Sequence, residues 1–329
     1  MLHQRYGQAA LLFIALLLYS ATGYMYFEFS DNPDLTWADS FWWSIVTMTT
    51  VGYGDFFPST FGGRWLVGMP TMVLGIGLLG YILSLIATFM LESKSLELKG
   101  MKTIQCSDHV AICEYGSEGE LLKLIAEIQQ DKATSDSDIV IIDDSLDQLP
   151  ASMQQPKVHF VHGDAANESV LQQANIAEAR AVIIQASALG GSDDRNLKIA
   201  LAVKSFRPDV FLVAECTNPE NVRFLQQANC DSVLCVSMLS EQMLVQELLS
   251  PGVGNVVSQL TSNSQGKQFY IVDMPGKYEN YRAARKANSS AGRVPVGIQR
   301  NGNSSLLPED DFAIESGDRL ILIASQRPV

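Results

Sequence analysis

Thr50-Val51-Gly52-Tyr53-Gly54-Asp55 is the stretch on which the reading of this chain turns. Glycines at alternate positions let the backbone take left-handed dihedrals at little cost. Successive carbonyl groups can then point toward one axis, with a Thr50 hydroxyl at the inner end and Val51 and Tyr53 turned away. A Gly-rich turn in a soluble domain can share such a short spelling by chance, so the flanks decide. Just upstream, Thr36 to Thr50 (TWADSFWWSIVTMTT) reads as a short helix from Trp37, with Asp34 or Thr36 available to cap it. Two long apolar stretches bracket this region, Ala9 to about Phe29 and Trp65 to Leu91, the second without a charged side chain.

A row of convergent carbonyls is what a dehydrated K+ needs in place of its water. One copy lines one wall, so four identical chains around an axis are implied, joined by head-to-tail contacts that close into a ring. The negative C-terminal end of the preceding helix suits a cation at the centre. Trp42 and Trp43 are placed to pack behind the loop, where one of them can donate its indole hydrogen to Asp55. Both apolar stretches exceed the roughly 20 residues that a bilayer core requires. The second exceeds it by about two turns, and so must tilt or project. A cleaved signal peptide is too short a model for the first. Lys94, Lys99 and Lys102 follow the second stretch, whereas Glu28, Asp31, Asp34, Asp39 and Asp55 crowd the connection between the two. The basic side stays inside, which puts both ends of the chain in the cytoplasm and the acids at an outer, cation-concentrating mouth. Arg64 reads as a solvated flank. Gly75, in Val73-Leu74-Gly75-Ile76-Gly77, is the candidate gating hinge, with close helix packing as the plainer explanation. Ser84 and Ala87 are candidate constriction positions.

With 329 residues the chain has room for about two to three domains. The boundaries read as 1–91 for the membrane part, 92–106 for a charged linker, 107–250 for an α/β domain and 251–329 for a small α+β module. A net charge of −13 argues against a nucleic-acid partner. The five cysteines all follow the membrane part, in no metal-binding spacing, and a reducing compartment fits them.

Beyond the linker, strands alternate with helices. Strands are predicted at His109 to Cys113, Ile139 to Asp143, Val158 to His162, Val182 to Gln185, Val210 to Ala214 and Val233 to Val236. Helices fall at Glu120 to Gln129, Glu168 to Ala174, Arg195 to Phe206 and Glu220 to Ala228. This order means a doubly wound parallel sheet of Rossmann-like type. The peptide Leu-Gln-Gln-Ala-Asn ends a helix twice, with Asn175 and Asn229 in the left-handed cap position. Asp143 sits where a ribose-binding carboxylate would sit. The turn Glu114-Tyr115-Gly116-Ser117-Glu118-Gly119 lacks the first glycine of a dinucleotide fingerprint, and its acids would face a pyrophosphate. Gly116, Gly119, Asp143, Asp144 and Asp164 are the candidate nucleotide-binding residues, with a sheet that has lost its ligand as the alternative. Met238 to Leu249 is an apolar helix that either crosses to a neighbouring subunit or packs in the core. After it, Gln268 to Val272 and Arg319 to Ala324 read as strands of the small module.

A pore followed by a doubly wound domain and a small C-terminal module resembles the RCK (regulator of K+ conductance) potassium channels, most closely the two-helix MthK type. The likeness rests on Thr50 to Asp55, Val73 to Gly77, His109 to Cys113, His162-Gly163-Asp164-Ala165, Ala214-Glu215 and Ile314 to Asp318. It implies a membrane-embedded homotetramer whose inner helices are pulled open by a ligand-driven gating ring of eight RCK domains. Soluble copies would complete the ring; Met101 offers a start for one, although an ordinary connector methionine is the plainer reading. In bacterial potassium channels a glutamate often stands four residues before the filter threonine. Here Val46 does, which implies weak inactivation. The family's calcium site matches at Glu215, but Thr217 and Gln185 replace its other acids and an insertion lies at Leu189 to Ser192. Asp193 and Asp194 are the remaining candidates for a divalent cation.

The resulting expectation is a ligand-gated potassium channel without a catalytic residue, K+ being the permeant ion. Its regulatory ligand would be Ca2+ or another divalent, or an adenine nucleotide or NAD. A membrane-tethered nucleotide-dependent oxidoreductase is the first alternative, but it leaves Thr50 to Asp55 unexplained. A nonselective cation channel is the second, and Tyr53 argues against it.

Overall fold

The computed structural model describes residues 2–186, 192–263, 266–290 and 292–328. Residues 189–191 of the expected insertion lie outside the described residues. The chain divides into two units, 1–95 and 96–329.

In the first unit, helix α1 (Leu2–Glu28) precedes the short α2 (Trp37–Met48) and the long α3 (Met69–Leu98), which is entered through a π-helical stretch, Gly63–Gly68. Among the described residues, two segments are long and apolar enough to cross a membrane, Arg5–Glu28 and Gly63–Leu98. The second has 36 residues, so at about 1.5 Å per residue it is longer than a hydrocarbon core is thick. Its last turns, from Glu92 to Leu98, had been expected in the linker. Leucine, methionine and phenylalanine side chains along α1 and α3, such as Leu11, Leu74, Phe89 and Met90, are exposed, as lipid or neighbouring helices would require.

α2 begins where the sequence places it. Thr36 accepts from the Asp39 backbone N–H, and the Asp39 carboxylate accepts from the Thr36 backbone N–H at 3.0 Å, a reciprocal cap worth about 1 kcal/mol. Trp43 is buried and stacks on Tyr24 of α1, with ring centroids 4.3 Å apart, so it fastens α2 to the outer helix. It had been expected behind the glycine loop.

In the second unit, β1 (His109–Cys113), α4 (Glu118–Gln130), β2 (Ile139–Asp143), β3 (Val158–His162), α5 (Glu168–Gln173), β4 (Ala179–Ile184), α6 (Ser192–Phe206), β5 (Phe211–Cys216), α7 (Val222–Gln227) and β6 (Ser232–Cys235) build a parallel sheet in the order β3-β2-β1-β4-β5-β6. β1 and β2 are buried throughout, because helices cover both faces. Ala111, Cys113, Val140 and Ile142 join Ile199 and Val203 of α6 on one face. Ile112, Ile139 and Ile141 join Leu121 and Ile125 of α4 on the other. Asn175 and Asn229 take φ of 54° and 62°, the left-handed caps read from the repeated peptide. Gly100 follows α3 at φ 66°, and a Cβ there would fall 2.3 Å from the His162 backbone nitrogen, so no other residue fits.

Helix α8 (Val236–Leu249) and α9 (Val253–Thr261) contain no buried residue, and Leu244, Leu248 and Leu249 are exposed. The core-packing alternative for this helix therefore fails within one chain. The C-terminal module holds β7 (Gln268–Asp273), α10 (Tyr281–Asn288), β8 (Arg293–Arg300), β9 (Asn303–Leu306) and β10 (Arg319–Ala324), in an antiparallel sheet of order β7-β10-β8-β9. β8 escaped the sequence reading because it carries Pro295. That residue sits beyond the β9 pairing and beside a register shift against β10, where a missing N–H is tolerated.

Candidate functional site

The glycine loop follows α2 directly, and its dihedral signs alternate. Thr50, Gly52 and Gly54 have φ of 63°, 57° and 76°, whereas Val51 and Tyr53 are not left-handed. Gly52 and Gly54 are the left-handed positions expected. Thr50 is a third that the sequence did not signal, because a β-branched residue avoids this region unless its surroundings impose it. Those surroundings are the end of α2: the N–H groups of Val51 and Gly52 donate to the Val46 carbonyl at 3.0 and 3.3 Å. Val46 itself is buried.

Behind the loop, Trp42 Nε1 donates to Asp55 Oδ2 at 2.8 Å, and the Trp42 ring stacks on Tyr53 at 5.9 Å between centroids with 7° between planes. One tryptophan thus holds both ends of the Tyr53–Asp55 segment. Below it, a Cβ on Gly75 would come within 2.9 Å of Met48 Cα, so close packing of α3 on α2 already requires glycine there. Gly77 and Gly80 meet nothing within 4 Å.

Two charged residues of this unit differ from their reading as solvated groups. Glu28 is buried, and its carboxylate accepts from the backbone N–H and hydroxyl of both Ser59 and Thr60, the Ser59 contacts being 2.8 and 2.6 Å. It is a clamp on the segment after the loop and contributes no acid to an outer mouth. Arg64 Nε donates to the Pro58 carbonyl at 2.9 Å on the same segment.

A second candidate site lies at the C-terminal ends of β1 and β4, where the strand order reverses and α/β sheets take ligands. Glu114 leaves β1 in a left-handed conformation, φ 74°, and is buried. Arg195 of α6 reaches across to donate to Glu114 Oε1 and Asp144 Oδ1, both at 2.7 Å. Burial pushes the Glu114 carboxyl up in spite of the guanidinium beside it. Arg195 was missed because its partners lie 81 and 51 residues away.

The candidate ribose carboxylate, Asp143, is buried and engaged by its own chain. Oδ2 accepts from the Tyr115 N–H at 2.8 Å, and Oδ1 from the N–H groups of Ser145 and Leu146 and the Ser145 hydroxyl. Asp164 Oδ1 accepts from the Ala166 N–H at 2.9 Å. A Cβ on Gly116 would meet Glu120 Oε2 at 2.9 Å, whereas Gly119 lies open in the first turn of α4.

The candidate divalent ligands do not converge among the described residues. Glu215 Oε2 accepts from the Ala186 N–H at 2.9 Å. Asp193 is buried, accepting from the Thr217 N–H and hydroxyl, the Asn218 N–H and Asn221 Nδ2. Burial alone would raise its pKa, but these donors outweigh it and hold the carboxyl down at about 2. Asp194 is exposed beside it on α6 and belongs to no such cluster.

An ion-channel family model matches residues 11–92, and a TrkA-N domain model matches 110–236. Probable potassium channel protein 2 of Methanocaldococcus jannaschii is 26% identical over 84% of this chain and 82% of its own length. The calcium-gated potassium channel TvoK of Thermoplasma volcanium is 24% identical over 96% and 91%. Among solved structures, the human SLO3 gating ring covers 66% of this chain and 44% of its own, at 13% identity and a TM-score of 0.52, a likeness of fold. An ion-channel domain with two membrane-crossing helices, carried ahead of a TrkA-N domain and matched along most of its length by potassium channels, makes this a membrane protein built on the plan of the RCK-domain potassium channels.

Proposed function

We propose that four copies of this chain form a K+-selective pore through Thr50–Asp55, gated by a ligand on the cytoplasmic domain. The alternation of dihedral sign at Thr50, Gly52 and Gly54, directly after the capped helix α2, carries this reading. It gives a stack of carbonyls that replaces the water of K+ only when repeated around an axis. Relatives named as potassium channels support it. The exposed apolar faces of α8 and α9 fit contact with a second cytoplasmic domain, and soluble copies beginning at Met101 would make an eight-domain ring. Gly75 remains the proposed hinge of the inner helix.

For the ligand, the geometry favours a phosphate-bearing molecule over a divalent held by Glu215, Asp193 and Asp194: the oxygens of Glu215 and Asp193 serve their own chain, and among the described residues Asp194 joins no cluster with them. The β1/β4 crevice offers the Arg195 guanidinium to an anion. Asp143 does not fit a ribose without giving up its loop contacts. An anionic ligand would draw Arg195 from Glu114 and Asp144 and so couple binding to α6. Reversing a 1:99 pore equilibrium takes about 5.5 kcal/mol, which several coupled sites can share.

The test is flux through the purified protein in liposomes under opposing K+ and Na+ gradients, with Ca2+, ADP, ATP and NAD(H) added in turn. The expected reversal potential lies at that of K+, with a response to one of the nucleotides. Equal passage of Na+, or a monomer in mild detergent, would overturn the pore assignment; a response to Ca2+ alone would overturn the ligand assignment.

A further inference from the structure

At the end of the parallel sheet opposite the crevice, three side chains from different strands' beginnings converge. Cys106 ends the connector before β1, Asp138 stands just ahead of β2, and His159 is the second residue of β3. Their ligand atoms all lie within 4.8 Å of one another, and His159 Nε2 is 2.9 Å from Asp138 Oδ1. Each is half-buried, so a small cation has access.

A fourth group stands behind them. His109, the first residue of β1, is fully buried, and neither ring nitrogen has a hydrogen-bond partner. The nitrogens lie near the backbone carbonyls of Ala174 and Cys106 without meeting good hydrogen-bond geometry, and the charges of Asp138 and His159 reach the ring. An imidazole left so in a sheet interior is costly unless something uses it.

We propose that Cys106, Asp138 and His159 bind a zinc-class divalent cation on the cytoplasmic domain, with His109 as the reserve nitrogen ligand. The donor set decides the class. Sulfur with imidazole suits Zn2+ and its neighbours, whereas Ca2+ and Mg2+ take oxygen alone. Bonds of about 2.3 Å to sulfur and about 2.0–2.2 Å to nitrogen and oxygen place tetrahedral ligand atoms about 3.3–3.7 Å apart, so small rotamer shifts close the site. Burial, with the Asp138 charge beside it, pushes the Cys106 thiol up to about 11, so the metal would displace a proton on binding.

The position gives the site a task. Connector atoms already bond to the sheet's lower end: Ile104 N–H donates to the Gln173 carbonyl and Asp108 N–H to that of Glu178, each at 2.8 Å, and Asn175 Nδ2 donates to the Cys106 carbonyl at 2.9 Å. A bound cation would tie the end of the connector from the inner helix to the starts of β2 and β3. This proposal stands apart from the identity of the gating ligand.

The test uses full-length, metal-free protein titrated with Co2+ and then Zn2+. The expected result is a thiolate-to-cobalt charge-transfer band with tetrahedral d–d bands, saturating at one ion per chain, displaced by Zn2+, and lost in Cys106→Ser and in His159→Ala. Should those variants misfold, the wild-type protein decides by mass mapping of alkylated cysteines. Zn2+ at ten times its dissociation constant should slow alkylation of Cys106 about tenfold and leave Cys230 unchanged. A missing thiolate band, a band that persists in Cys106→Ser, or no protection of Cys106 would overturn the proposal.

Discussion

The loop Thr50–Asp55 and the crevice at the ends of β1 and β4 are built on opposite terms. In the loop, Val51 and Tyr53 are 53% and 69% exposed, and the conformation comes from dihedral signs and from Trp42 behind it. In the crevice, Glu114 and Asp143 are buried and their oxygens bond within the chain. In the proposed pore, a single copy therefore leaves the loop half of a structure, which the other three copies would complete. The crevice is complete in one copy, so a ligand bound there, as proposed, would displace a pairing already made.

The largest effect expected on this contrast is from Gly54→Ala. At φ 76° a Cβ costs about 1–2 kcal/mol, which the four copies of the proposed pore would bring to about 4–8 kcal/mol at one ion path. K+ flux in liposomes should vanish while the thermal unfolding of residues 96–329 is unchanged; retained selective flux would mean that the loop does not depend on its dihedrals. Next comes Arg195→Met, which leaves Glu114 buried without its partner and should lower stability by about 2–3 kcal/mol, read from thermal unfolding in detergent. Adding Glu114→Gln should recover most of that loss. Failure to do so would mean that the crevice is not held by this pair.

Asp193→Asn tests, by pH, the buried acid at the start of α6, whose partners follow β5. The folded carboxyl, at about 2, lies below its ordinary value of 3.8, so its contribution is fully present above about pH 4 and fades as pH falls through 2. Chemical unfolding should show the variant about 2 kcal/mol weaker at pH 7 and level with the wild type near pH 2. A difference that does not depend on pH would assign the loss to packing. The smallest effect belongs to Trp42→Phe, which keeps the stacking on Tyr53 and loses the 2.8 Å bond to Asp55. About 1 kcal/mol per subunit should appear as a modest fall in the K+/Na+ permeability ratio.

Much of the molecule is legible one residue at a time. Strands β1 and β2 follow the apolar runs Val110–Cys113 and Ile139–Ile142, because a parallel strand covered on both faces must be largely apolar. The helix cap at Thr36 and the left-handed Asn175 and Asn229 follow from local chemistry. β8 was hidden by Pro295, and Glu28 looked like any surface acid until four donors from Ser59 and Thr60 surrounded it.

The order of residues alone determined the loop, the two membrane-crossing segments and the strand-helix alternation, since each depends on dihedral preference or apolar period over a few neighbouring residues. Only the tertiary structure decided which side chains meet: Arg195 with Glu114 and Asp144, Trp43 with Tyr24, and Cys106 with Asp138 and His159. Those partners are separated by tens of residues, and their meeting is set by the sheet order and helix packing, which no local pattern encodes.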